Sequence, residues 1–406
     1  GKKRRRLTSA FFISTEMPTS ATTILSPELY VPTEIYIRQD IIPSIGSILK
    51  TIGSRVLLIT TTGDLTLFHE TIEKMARSAA SASLGLIIYD EMSDSPTTED
   101  VDTAASYARK THCDVIVGFG GTDSLNTAKA VAVLAGNYLF CEDLFENPSI
   151  QPPIALVTIP AFPSFGFEIL PMFFLTDIRE EIQKVYTHRY LFPRATIVDP
   201  RISALIDEDT TAQVNSATLA LATEAVISKS TNGLVNTYAL KSIDLIFKNL
   251  PAAYRDPQNI TARGHLSYAS VMTGIAFSVS RLSLSLALSL ALSSRTGIPV
   301  HRAMGVFLPH VMEYNLTATP GKYVQMSKVM DEDVREITVI EAAIKAVEGV
   351  RKLEIDLDIP QRLSQFEISK TEFSRIAEIA IRYPFIENAP RPLNRDEFET
   401  ILIAAY

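Results

Sequence analysis

The sequence predicts an α/β domain built on a parallel sheet, followed by an all-helical domain. Three short apolar runs, at residues 55–60 (RVLLIT), 84–89 (LGLIIY) and 114–119 (DVIVGF), recur about every 30 residues. Continuous apolar runs of this length mark strands buried on both faces. Helical patterns fill the gaps, so the unit is βαβαβ, which requires right-handed crossovers and a parallel sheet. Beyond Pro200 the texture changes to longer segments with 3.6-residue apolar spacing.

Each element follows from its own residues. Residues 66–80 place Leu67, Ile72, Met75 and Ala76 on one stripe. Residues 98–110 follow Pro96, with Asp100 and Val101 opening a first turn. Two more strands are expected, at 154–159 before Pro160 and at 195–198 before Asp199-Pro200. Helices are expected at 211–229, 238–250, 262–280, 335–350 and 370–382, punctuated by Pro251, Pro299, Pro320, Pro360 and Pro390. The run 282–292 carries leucine at every even position, as a strand would. Leu, Ala and Ser without a β-branched residue favour a helix instead. A buried helix is expected there, its serine hydroxyls bonding to carbonyls four residues back.

The 406 residues carry a formal charge of −8, with 46% apolar and 21% charged side chains. That is too apolar for a disordered chain. The acidic balance argues against nucleic-acid binding through a general positive field. Cys113 and Cys141 cannot build a disulfide framework or a Cys-based zinc site. The six histidines include no pair at i, i+4. No run reaches the roughly 18–20 apolar residues of a membrane helix, so no membrane insertion is expected. Residues 1–12 (GKKRRRLTSAFF) hold five basic residues and no acid. This composition suits an organellar transit peptide or a solvated basic tail. Cytoplasmic and organellar locations, mitochondrial among them, both stay open.

The first chemical signal is the run 118–129 (GFGGTDSLNTAK), a glycine-rich turn between a strand and a helix. That geometry presents free backbone N–H groups to a phosphate, though glycine pairs after strands also serve as plain tight turns.

At this point the chain resembles the iron-containing alcohol dehydrogenase family, whose fold is shared with dehydroquinate synthase and glycerol dehydrogenase. The landmarks run in order from about residue 29. Residues 30–36 (YVPTEIY) resemble the family's opening strand. GGTDSLNTAK at 120–129 stands where the family has GGGSxxDxAK. IPAFPSFGFE at 159–168 stands for IPTTxGTGSE. TIVDP at 196–200, GIAFS at 274–278, LPHVMEYN at 308–315, NAPRPL at 388–393 and the final AAY complete the series. The resemblance implies an α/β dinucleotide-binding domain at 29–203 and a helical, metal-site domain at 204–406, after an extension at 1–28. It also implies an active site in the cleft between the domains, one divalent metal held by one Asp and three His, and hydride exchange with nicotinamide.

The implied ligand positions depart from that pattern. Aligned on Glu224, the Asp position is Ala217 and the first His is Leu221. Aligned on Ala276-Phe277-Ser278 and Pro299, the other two are Leu286 and Val300, with Leu290 at a nearby polar position. Methyl groups cannot donate a lone pair to a cation. Filling an abandoned site with hydrocarbon would avoid stranded polar groups, each costing about 1–3 kcal/mol. Such a cleft is expected to be packed shut.

The implied cofactor side also differs. Gly120, Gly121, Thr122 and Asp123 occupy the pyrophosphate loop, and Asp123 replaces a serine. A carboxylate there repels a diphosphate, while serving well as a helix N-cap. Thr61 replaces the acid expected on an adenine ribose, with Asp64 three residues on. Phe165 and Phe167 replace small residues near the expected nicotinamide. Lys184 stands where the family has a cofactor-contacting lysine.

These readings give three expectations. The first is a catalytically degenerate relative, a pseudoenzyme with a structural, assembly or regulatory role in a homo- or hetero-oligomer. It would have no catalytic residues, NAD(P) as no more than a possible ligand, and no iron or zinc. The second is a metal-independent NAD(P)-linked dehydrogenase or reductase using Lys184, His301 or Tyr186. The third is a nucleotide sensor without turnover.

Overall fold

The apolar runs become strands because both of their faces are covered. Val56 and Leu58 face one core cluster of the sheet while Leu57 and Ile59 face the other. The computed structural model describes residues 29–146 and 148–406. The expectations for 1–28 lie outside the described residues.

Strands β1 (Glu34–Ile37), β2 (Arg55–Thr61), β3 (Gly85–Met92), β4 (Val115–Gly120) and β5 (Ala155–Pro160) precede a separate antiparallel hairpin. The hairpin is β6 (Met172–Asp177) and β7 (Ile182–Thr187), and β8 (Ala195–Val198) follows. Six strands form one sheet in the order β1-β8-β5-β4-β2-β3, every pairing parallel. The hairpin is absent from the sequence reading.

Six helices accompany the sheet: α1 (Ile45–Lys50), α2 (Thr62–Leu67), α3 (His69–Ser81), α4 (Thr98–Lys110), α5 (Thr122–Asn137) and α6 (Cys141–Leu144). The helix expected at 66–80 is two helices, broken at Phe68, and Leu67 is 50% exposed rather than on the buried stripe. The break arises because Thr61 caps a first short helix through the Asp64 N–H. Helix α4 has its expected bounds, secured by a capping box between Thr97 and Asp100.

The helical domain begins with α7 (Glu208–Ile227), α8 (Gly233–Arg255), α9 (Ile260–Ser280), α10 (Leu284–Thr296) and α11 (Val300–Leu316). It continues with α12 (Pro320–Val329), α13 (Val339–Asp356), α14 (Phe373–Ala380) and α15 (Arg395–Ala404). Pro251 does not end a helix; it sits inside α8. The 282–292 run is helical, and Leu284, Leu286, Leu288, Leu290 and Leu292 are all fully buried. Burial on every side explains the misleading alternation: each leucine has an apolar neighbour whichever way it points. The expected serine bonds to carbonyls four residues back do not form within the run: Ser283 donates to Glu224 and the buried Ser289 hydroxyl makes no hydrogen bond, while Ser294, just beyond it, bonds back to Leu290.

Among the described residues no single helix is long and apolar enough to cross a membrane. Helices α9 and α10 pass that test only as a pair bent by 98°, and both contribute to the central core.

Candidate functional site

The chain runs from β2 to β3 on one side, then returns to β4 on the other side of β2. This reversal opens a crevice beyond the carboxyl ends of β2 and β4, where open parallel sheets seat their ligands. A cavity of about 210 Å³ lies there. The sheet domain lines it with Thr61, Asp64, Asp94, Gly121, Thr122 and Asp123. The helical domain lines it with Ser293, Gly297, Val300 and His301. The cleft is therefore not packed shut, as the apolar ligand positions suggested.

The glycine loop forms as its sequence requires. Gly120 has φ +134°, and a Cβ on it would fall 2.0 Å from Asp64 Oδ2. That carboxylate reaches across from α2. It accepts the Gly121 N–H at 2.9 Å and the Ser124 hydroxyl at 2.7 Å. Helix α5 has Gly121 at its N-cap and no side-chain cap of its own. Asp64 thus takes the part that the sequence reading gave to Asp123. Asp123 instead opens into the cleft. Asp123 is exposed there rather than buried in the core; enclosure by the cleft walls, with the charges of Asp64 and Asp94 beside it, raises its carboxyl above the ordinary aspartate range. Among the described residues no Lys or Arg lines this cavity.

The remaining candidates are scattered. Lys184 pairs with Asp177 and Glu180, both at 2.7 Å, and does not line the cleft; its neighbour Gln183 does. Tyr186 is buried under the sheet beside Phe173. His301 alone of Lys184, Tyr186 and His301 reaches the cavity, with burial lowering its pKa to about 4. Phe165 and Phe167 are buried, ring centroids 5.1 Å apart and edge to face. They fill space, with Phe165 forming part of the cleft wall.

The two flanking motifs meet across the domain boundary. Gly166 has φ +90°, and a Cβ on Gly274 would stand 2.7 Å from the Gly166 carbonyl oxygen. Lys129, fully buried, donates to the carbonyls of Phe167 and Met172 and so ties α5 to the second motif.

The positions that the resemblance gives to metal ligands lie on α7, α10 and α11. Ala217, Leu221 and Leu286 are fully buried and Val300 is 7% exposed, all within one continuous core cluster. These four side chains have no lone pair to offer a divalent ion, so they do not fit the metal. Among the described residues no group of three or more His, Cys, Asp or Glu is placed to hold one. Glu224, on α7, is spent on structure. It accepts the Ser283 hydroxyl and the Leu284 and Ser285 N–H groups, capping α10.

Known proteins place this architecture. The family described as iron-containing alcohol dehydrogenase matches residues 32–200, and its C-terminal counterpart matches 213–406. The chain belongs to the iron-containing alcohol dehydrogenase family. It is 28% identical to the 1,3-propanediol dehydrogenase of Klebsiella pneumoniae, over 87% of this chain and 92% of that one. It is 24% identical to the NAD-dependent methanol dehydrogenase of Bacillus methanolicus, over 89% and 95% of the two chains. The crystal structure of a 1,3-propanediol oxidoreductase superposes with a TM-score of 0.88 at 26% identity, covering 93% and 99%.

Membership corrects the cofactor expectation. A family described as iron-containing, with a relative named as NAD-dependent, overturns the reading of no likely cofactor and no iron or zinc. That reading rested on four positions and a loop, which describe one constellation rather than the capacity of the whole chain.

Sequence reasoning missed Asp94, Gln183 and Ser293 as cleft residues. It noted Asp64 without its partner. Asp94 accepts the Gly63 N–H at 2.6 Å, and only the adjacency of β2, β3 and β4 brings Asp94, Asp64 and Gly121 together.

Proposed function

We propose that this chain is a catalytically degenerate member of its family, kept for a structural, assembly or regulatory role. One observation carries the reading: Ala217, Leu221, Leu286 and Val300 are core hydrocarbon, part of the packing that holds α7, α10 and α11 together. The inherited constellation then has no group to polarise an alcohol or carbonyl oxygen. The test is turnover by the full chain supplied with iron(II) or zinc, with NAD(H) and NADP(H), on methanol and 1,3-propanediol and their aldehydes. The expected result is no hydride transfer above buffer. Saturable turnover abolished by substitutions in the cleft would overturn it. The assembly role predicts a homo- or hetero-oligomer, measured by light scattering and co-purification.

A second reading, nucleotide sensing without turnover, is favoured by the open cavity at the sheet's switch point. NADH titration separates the two: saturable binding without turnover supports the sensor, and no binding supports the scaffold.

A further inference from the structure

A second concavity lies away from the cleft, between the β6–β7 hairpin, the end of α9 and the segment before α15. It has two chambers that share Pro171, Thr187, Ser278, Arg281, Glu387 and Asn388. The inner chamber is about 140 Å³. Its apolar wall is Leu170, Met172, Phe277 and Phe385, each no more than 4% exposed. This is close to the roughly 150 Å³ apolar cavity that stays dry and accepts benzene. The outer chamber, about 470 Å³, adds Tyr30, Arg189, Phe192 and Ser230.

The charges at the mouth are unspent. Arg281 makes no ion pair among the described residues; its only side-chain contact is a 3.5 Å approach of Nε to the Ser278 carbonyl. Arg189 lies over the Tyr30 ring at 5.4 Å and has no carboxylate partner among the described residues. Glu387 also lines the mouth and makes no ion pair among the described residues. Two guanidinium groups against one carboxylate leave a single positive charge, which suits a monoanion. Arg281 lines both chambers and so stands where an anionic head would meet an apolar tail. It is held there at φ +45°, closing α9 in the left-handed region that a side chain other than Gly rarely adopts.

We propose that this concavity binds a small carboxylate with a ring-sized apolar tail, its head on Arg281 and its tail between Phe277 and Phe385. Charge-assisted pairing to a guanidinium fixes the head, and burial of the ring in the inner chamber supplies the rest of the affinity. The proposal is independent of whether the cleft turns over alcohol.

The experiment is calorimetric titration of the full chain with benzoate, acetate and benzyl alcohol. Saturable benzoate binding is expected, at least about tenfold tighter than acetate, which lacks the tail, and than benzyl alcohol, which lacks the charge. Arg281→Gln should weaken benzoate by about tenfold or more while leaving the unliganded melting temperature unchanged. Should that variant fail to fold, Arg281→Gly, which suits the backbone angle, takes its place. Benzyl alcohol binding as tightly as benzoate, full affinity in either variant, or no saturable benzoate binding overturns the proposal.

Discussion

The two ends of the cleft are built in opposite ways. At the helical end, the four positions that the sequence resemblance assigns to metal ligands are aliphatic members of the core cluster. At the sheet end, a polar cavity of about 210 Å³ remains, and the glycine loop has found an internal acceptor in Asp64. The difference follows from where the polar groups reside. Side-chain ligands can be exchanged for methyl groups, leaving nothing unpaired. Backbone N–H groups survive every side-chain substitution and still need an acceptor. The helical end is accordingly hydrocarbon without orphaned polar groups at these positions, and the loop at the sheet end finds its acceptor in a carboxylate.

The largest test of this contrast restores polarity to the helical end. The combined variant Ala217→Asp, Leu221→His, Leu286→His and Val300→His places three polar groups in packed core and a fourth, at Val300, on the cleft wall. At about 1–3 kcal/mol for each of the three unpaired core groups, chelator-treated protein should lose at least about 3 kcal/mol in denaturant unfolding. A variant no less stable than its parent means that these positions are not core.

The matching test at the sheet end is smaller. Asp64→Ala removes the acceptor for Gly121 N–H and Ser124, at a cost of about 1.5–3 kcal/mol for hydrogen bonds to a charged group. It also frees an anion seat, so NADH should bind more tightly to the variant than to the parent. Unchanged stability together with unchanged NADH affinity would sink the view that Asp64 caps the loop.

How much of this was legible depends on the range of each interaction. The strand at 195–198, helix α4 and the helical character of 282–292 rest on local periodicity and caps, and they stand in the structure. The aliphatic ligand positions rest on landmarks in order along the chain. Asp64 does not, because its partner Gly121 lies 57 residues away. Lys184 keeps its family position but is drawn off by Asp177 and Glu180, a local competition that no motif registers. The β6–β7 hairpin was missed because its second strand, Ile182–Thr187 (IQKVYT), is only partly buried and carries no continuous apolar run.

Between the two ends stands the Gly166–Gly274 contact. Gly274→Ala would press a methyl group 2.7 Å from the Gly166 carbonyl oxygen. Overpacking of this kind costs about 1–3 kcal/mol. The melting temperature should fall, and the melting transition should stay single because the contact joins the domains. A variant as stable as the parent removes the seam from the account.

The smallest effect concerns a polar group that the helical end did not lose. Glu354 on α13 accepts the Ser216 hydroxyl at 2.7 Å, beside Ala217, and its other oxygen is buried without a partner. Burial raises its pKa to about 8, and burial raises that of Glu224 to about 7. An acid with a raised folded pKa binds more protons folded than unfolded over the window between its two pKa values. Its contribution to stability is complete below the ordinary glutamate pKa and is lost as pH climbs toward 8. His301 acts in the opposite sense: its pKa, lowered by burial to about 4, makes stability fall as pH drops below the ordinary histidine range. The melting temperature should therefore be higher at pH 6 than at pH 9. Glu354→Gln keeps the acceptor for Ser216 but cannot ionise, so it should shrink that difference by protecting the alkaline side alone. An unchanged pH profile in this variant would mean that Glu354 is already ionised in the folded chain, and that the helical end tolerates a buried charge beside Ala217.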